Sequence, residues 1–126
     1  MKNILFNLLC VASGGSIGAV SRYCIGKIVT YWFGTPFPYG TLFVNVVGSF
    51  FIGFILSCVS NDLIKLFFVV GFLGSFTTFS TFSMDTVSAL MNGHLTKATI
   101  IVFANLFLCL VSTYLGILSG RFIGLQ

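Results

Sequence analysis

Most of the chemistry this chain can offer lies in one stretch, Gly71-Phe72-Leu73-Gly74-Ser75-Phe76-Thr77-Thr78-Phe79-Ser80-Thr81-Phe82-Ser83. It carries six hydroxyls between Ser75 and Ser83, Ser80 and Thr81 among them, interleaved with Phe76, Phe79 and Phe82 at three-residue intervals. Gly71 and Gly74 weaken a helix and so offer free backbone carbonyls, which suit a hard cation at helix breaks inside membranes. Phenyl rings have a positive edge and a negative face. Ring edges beside hydroxyl donors therefore make a site for a small anion. The plainer reading is a packing stripe of Phe, with Ser and Thr bonded back to the carbonyl one turn earlier. That explains one or two hydroxyls; six of them among three Phe favour ion handling.

Asn45 is the next polar residue set in apolar surroundings. A side-chain amide in hydrocarbon is costly and faces protein or water. Its NH₂ can donate to an anion, or make a helix–helix hydrogen bond worth about 0.6 kcal/mol. Asn105, Cys109 and Thr113 follow one another at four-residue intervals, which puts them on one helix face as a partly polar stripe. Arg22 either draws an anion into a vestibule or snorkels to the interface as an anchor. Asp85 reads as a structural cap or ion-pair partner. His94, the single histidine, has no evident nucleophile beside it, and no enzyme constellation is visible.

The elements that must hold these residues are set by composition. Of 126 residues, 57% are hydrophobic and 6% charged, with a mean hydropathy of +1.11. A soluble domain of this size has too little interior for so much apolar surface. Four windows, Asn3–Ser21, Thr41–Asn61, Leu66–Met84 and Ala98–Gly120, contain no Asp, Glu, Lys, Arg or His. Each approaches the roughly 20 residues that cross a ~30 Å hydrocarbon core as a helix. A transmembrane β-barrel would alternate apolar and polar residues, whereas these windows are continuously apolar. The first window continues to Val20, too far for a cleaved signal peptide, and reads as a membrane helix. The chain is thus one transmembrane domain over residues 1–126.

Cys10, Cys24, Cys58 and Cys109 form no C-x-x-C pair, so they match neither a zinc nor a redox motif and read as small packed thiols. The net charge of +4 is too thinly spread for nucleic-acid binding. Lys2, Lys65 and Arg121 fall on one side of the membrane and Lys27, Lys97 and the borderline Arg22 on the other. The positive-inside rule therefore sets almost no orientation. Insertion both ways round, giving an antiparallel dimer, and a rule that is merely weak in this chain both fit. Gly14-x-x-x-Gly18, Ser49-x-x-x-Gly53 and Gly116-x-x-x-Gly120-x-x-x-Gly124 favour close helix packing. A four-helix monomer has little room for a pore, so packing between subunits is expected as well.

Three pieces of the sequence, Gly14 through Tyr23, Gly40 through Phe50 and Gly71 through Ser83, resemble the Fluc (CrcB) family of fluoride channels in order and spacing, and the likeness covers essentially the whole chain. The resemblance implies an all-α membrane protein of four transmembrane helices, the third broken near its middle, assembled as an antiparallel, dual-topology homodimer in the cell (inner) membrane. It implies two parallel pores for passive fluoride export. Phe79 and Phe82 would offer ring edges, Asn45 a hydrogen bond, and Arg22 a charge near the vestibule. Ser80 and Thr81 lie on the same pathway, and Asn105, Cys109 and Thr113 match a polar track. A structural sodium ion would be held between subunits by the backbone carbonyls of Gly74 and Thr77. One departure is visible: Ile101 stands where members often carry a tyrosine. A small multidrug exporter would share four helices and dual topology but would want a carboxylate in one of the windows, and none has one. A non-transporting scaffold subunit would need neither the helix break nor its hydroxyls.

Overall fold

In the computed structural model, which describes residues 2–124 and side chains from residue 4 onward, every element among the described residues is helical. The side chain of Lys2, counted in the charge balance, lies outside the described residues. Helix α1 is Lys2–Phe33 and α2 is Tyr39–Cys58. Helix α3, residues 62–76, joins a turn Asp62–Lys65, a π-helical stretch Leu66–Leu73 and a last turn Gly74–Phe76. Helix α4 is Phe79–Met91 and α5 is Leu95–Gly124. With α3 and α4 taken as one interrupted span, Asp62–Met91, four helical spans are long and apolar enough to cross a bilayer.

The spans outrun the uncharged windows. Helix α1 continues past Ser21 through Arg22 and Lys27 to the exposed Tyr31, Trp32 and Phe33. At 1.5 Å per residue its 32 residues extend about 48 Å, so both cations sit on the helix rather than in a loop. Aromatic residues at such an end suit the membrane interface. Gly34, at φ +79°, then turns the chain in the left-handed region, where glycine carries no Cβ penalty. The lengthening of α4 to Met91 also places Asp85 on a membrane span, just beyond the window that ended at Met84.

The break in the third span falls at Thr77 and Thr78, both extended, with φ, ψ of −80°, 157° and −150°, 114°. This is three residues beyond Gly74, where glycine content had suggested the weakness. Gly71 has a different use. It lies inside the π-helical stretch, and a Cβ there would sit 2.8 Å from the Val11 carbonyl oxygen and 3.1 Å from Gly14 Cα. Its small size lets α3 lie directly on α1.

The glycine motifs are spent within the chain. Cβ atoms on Gly14 and Gly18 would run into the Phe67 and Phe72 carbonyl oxygens of α3. On the other pair of helices, Gly116 faces the Phe50 carbonyl, Gly120 would place a Cβ 2.6 Å from the Phe54 oxygen, and Gly53 faces the Thr113 carbonyl. The Ser112 hydroxyl adds a bond to the Val46 carbonyl at 2.8 Å. Helix α1 therefore seats on α3, and α2 on α5, with α4 also against α5. Two small cores fill the remaining gaps: Val44, Leu73 and Phe76, and Phe82, Ala89, Ala98 and Ile101.

Because the Gly18 contact is backbone against backbone, the Gly18→Val protein should lose about 1–3 kcal/mol through overpacking. Gly26→Ala, where an added Cβ meets nothing within 4 Å, should be tolerated. Melting of the detergent-solubilised protein checks the pair: equal melting temperatures would show that α1 and α3 can separate at no cost.

Candidate functional site: a broken helix between two cavities

An extended pair of residues at membrane depth must find partners for its peptide groups away from water. Asn45, 9% exposed on α2, supplies them. Its Oδ1 accepts from the Thr78 N–H at 2.7 Å, and its Nδ2 donates to the Thr78 carbonyl at 3.1 Å. The second Nδ2 hydrogen goes to Asn105 Oδ1 at 3.1 Å, and Asn105 Nδ2 donates to the Ile101 carbonyl at 3.0 Å. Both N–H bonds of Asn45 are thus engaged within the chain. Among the described residues no buried side-chain nitrogen or oxygen lacks a partner.

The clamp has a consequence for two carbonyls. In an unbroken helix the Thr78 N–H would close on the Gly74 carbonyl and the Thr81 N–H on that of Thr77. The first is given to Asn45, and the second goes to Thr78 Oγ1 at 3.1 Å, the cap of α4. The Gly74 and Thr77 carbonyls, which the resemblance implies as cation ligands, are the ones whose helical donors have been taken. Arg22 Nη1 approaches the Thr77 oxygen at 3.4 Å, and a carbonyl has a second lone pair for another partner.

The six hydroxyls divide. Thr77 Oγ1 donates back to the Leu73 carbonyl at 3.0 Å and Ser83 Oγ to that of Phe79 at 3.0 Å, the ordinary habit of hydroxyls on membrane helices. Thr78, Ser80 and Thr81 instead form a cluster: Thr78 Oγ1 donates to Thr81 Oγ1 at 3.0 Å and shares a hydrogen bond of 3.2 Å with Ser80 Oγ. Ser75 stands apart, close to Gly15 of α1. The phenylalanines divide too. Phe76 is buried and stacks on Phe72 at 5.7 Å. Phe79 and Phe82 pair across α4 with ring centroids 5.3 Å apart, yet Phe79 is 75% exposed and Phe82 only 8%.

Two cavities meet at the break. A polar vestibule of about 670 Å³ is lined by Arg22 and Lys27 of α1, Thr41 of α2, Thr81 and Asp85 of α4, and His94 and Lys97 at the start of α5. Asp85 accepts a 2.8 Å bond from Thr41 Oγ1 there, so its partner is a hydroxyl rather than a cation. An open groove of about 280 Å³ on the other side is lined by Asn45, Ser49, Thr77, Phe79, Phe82, Asn105 and Cys109. Thr78 lines both. The structure therefore brings Asn45, Phe79, Phe82, Asn105 and Cys109 together in the groove and puts Arg22 and Thr81 in the vestibule. Thr113 lies beyond the groove, its carbonyl against Gly53. Ile101 is fully buried against the vestibule wall. Sequence reasoning passed over Thr78 and the vestibule role of His94 and Asp85. Its signal was available for Thr78, which is a helix N-cap type placed three residues before Thr81.

Four lipid-length helices, one interrupted at membrane depth beside polar cavities, define a multi-pass membrane protein with its polar chemistry inside the bundle. Residues 9–117 match the model of the family described as CrcB-like protein, Camphor Resistance (CrcB). The chain is 49% identical over 114 residues to the fluoride-specific ion channel FluC of Shewanella amazonensis (strain ATCC BAA-1098 / SB2B), covering 87% of this chain and 92% of that one. It is 51% identical over 115 residues to the fluoride-specific ion channel FluC of Shewanella baltica (strain OS185), with the same coverage. The chain belongs to the CrcB family, whose matched members are ion channels rather than enzymes.

Removing the clamp should loosen the break. Asn45→Ala leaves the Thr78 N–H and carbonyl without their partner, at about 1–3 kcal/mol for an unsatisfied buried group. Deuterium exchange at the Thr78 amide should then rise on the order of tenfold, since 1.4 kcal/mol is a factor of ten. Exchange equal to that of the unmodified protein would mean that the break is held by something other than Asn45.

Proposed function

We propose that this chain is a fluoride-selective ion channel that lets cytoplasmic fluoride leave passively across the cell's inner membrane, after HF has entered and dissociated. The observation that carries the proposal is its roughly half identity, over nearly their full length, to channels named for fluoride. The site is of a kind that suits the ion. A small anion with a tightly held hydration shell needs closely placed donors and positive ring edges to replace that shell. Arg22 and Thr81 would receive it in the vestibule. Asn45, Ser80, Phe79, Phe82, Asn105, Cys109 and Thr113 would line its further path, with Asn45 exchanging its bond to Asn105 for one to the ion.

The working unit in this reading is an antiparallel homodimer of a single 1–126 channel domain, with two pores. Support comes from the near-balanced Lys/Arg distribution and from the groove, whose lining includes the largely exposed Phe79. A second copy over that groove would give the Phe79 ring a wall and complete the pore. The reading includes a structural sodium ion at the same break. The Gly74 and Thr77 carbonyls of both subunits would hold it, and the ion would supply positive charge that ties the broken helices together. The Thr77 oxygen, which also accepts from Arg22 at 3.4 Å, would offer the ion its second lone pair.

The exporter alternative is weaker than the channel reading. The carboxylate now found on a span, Asp85, sits in the vestibule bonded to Thr41, not in the groove with the aromatic pair.

Ion efflux from liposomes holding the purified protein decides the matter. Fluoride should leave far faster than chloride; equal rates, or no gain over empty vesicles, would defeat the channel proposal. Phe79→Ile should lower fluoride flux while leaving folding unchanged, because the ring is exposed in the single chain. Phe82→Ile should lower flux and also cost about 1 kcal/mol of stability from the core it helps fill. Wild-type flux in both would return the rings to packing.

A further inference from the structure

We propose that Thr78 is the partition between vestibule and groove, and that its side-chain hydroxyl passes the anion from one to the other. The inference rests on the channel reading above and adds a residue to it. Thr78 is the residue shared by the two cavities. Its backbone cannot move freely, because Asn45 holds both its N–H and its carbonyl. Only its side chain is left to act, and the residue, 6% exposed, lines both cavities.

The hydroxyl is chemically suited to the task. Thr78 Oγ1 accepts from the Thr81 N–H, which fixes the oxygen, and its single hydrogen points to Thr81 Oγ1 on the vestibule side. A hydroxyl hydrogen rotates about its C–O bond to suit its partner. An anion arriving beside Thr81 takes that hydrogen in place of the Thr81 oxygen. As the anion moves toward Phe79 and Phe82, the hydrogen follows it, and the oxygen stays pinned by the cap. Ser80, which shares a 3.2 Å bond with Thr78 Oγ1, keeps the oxygen satisfied while the hydrogen is away. No covalent bond changes and no proton is transferred.

Thr78 also caps α4, so a test must separate capping from passage. Aspartate caps a helix about as well as threonine but has no hydrogen to offer and carries a negative charge. Thr78→Asp should therefore keep the Thr81 amide protected from deuterium exchange, although burying its charge at a 6% exposed position lowers the melting temperature, and it should lower fluoride efflux from liposomes by more than about tenfold. Thr78→Val, similar in shape but without the hydroxyl, should lower efflux too, and Thr78→Ser should regain most of what Val loses. Folded Thr78→Asp protein conducting at the unmodified rate would overturn the proposal. If the Asp variant does not fold, Thr78→Val decides: full flux in that variant overturns it equally. The unmodified protein separates the two readings. Its failure to conduct fluoride would remove the channel proposal, whereas conduction by it and by Thr78→Asp alike would remove the partition alone.

Discussion

In hydrocarbon a peptide group without a partner costs several kcal/mol, and the Thr78 peptide group has partners because one amide side chain reaches across from the neighbouring helix. Asn45 presents an acceptor to the Thr78 N–H and a donor to its carbonyl, imitating the two bonds a helix would have made. Much else depends on this substitution. With the Thr78 N–H withdrawn, the Gly74 carbonyl loses its helical donor. With Thr78 extended, its hydroxyl is placed to cap α4, and the Thr77 carbonyl loses its own. The restart of the helix at Phe79 then turns that ring out into the groove while Phe82 turns inward to the core.

The surrounding bundle is arranged so that this clamp can close. Glycines on α1 let α3 lie at backbone contact, and glycines on α5 do the same for α2. Small residues matter because lipid tails are as apolar as the helices, leaving close packing as the main attraction between spans. The π-helical widening of Leu66–Leu73 lies one turn before the break, and such widenings occur often at functional sites. Asn105 closes the network from α5, and α1 reaches the broken segment directly through Arg22, whose guanidinium approaches the Thr77 carbonyl.

The spans were legible in the sequence because continuous apolar windows of that length have few other uses. Their ends were not, because Arg22, Lys27 and Asp85 are charges that a helix can carry near its ends or beside a polar cavity. The break near the middle of the third span was legible in the sequence, but the residues that form it were not, since glycine marks a weak helix while the break itself needs a partner from elsewhere in the chain. That partner, Asn45, was visible as an isolated amide; its pairing with Thr78 was not, being 33 residues distant in sequence. The hydroxyl-rich segment looked uniform. Its division into back-bonded Thr77 and Ser83 and the Thr78–Ser80–Thr81 cluster depends on which side of the break each residue falls. The glycine motifs predict close helix packing, and the contacts they make within the chain are backbone against backbone.

The central claim is that Asn45 holds Thr77 and Thr78 out of the helix. Backbone chemical shifts of these two residues, measured by solid-state NMR in lipid bilayers, test it most directly when the unmodified protein is set beside Asn45→Leu. The account requires extended Cα and Cβ shifts at both residues in the unmodified protein and loss of that extended signature, toward motionally averaged values, once the amide is gone. Extended shifts that persist unchanged in Asn45→Leu, or helical shifts in the unmodified protein, would contradict it.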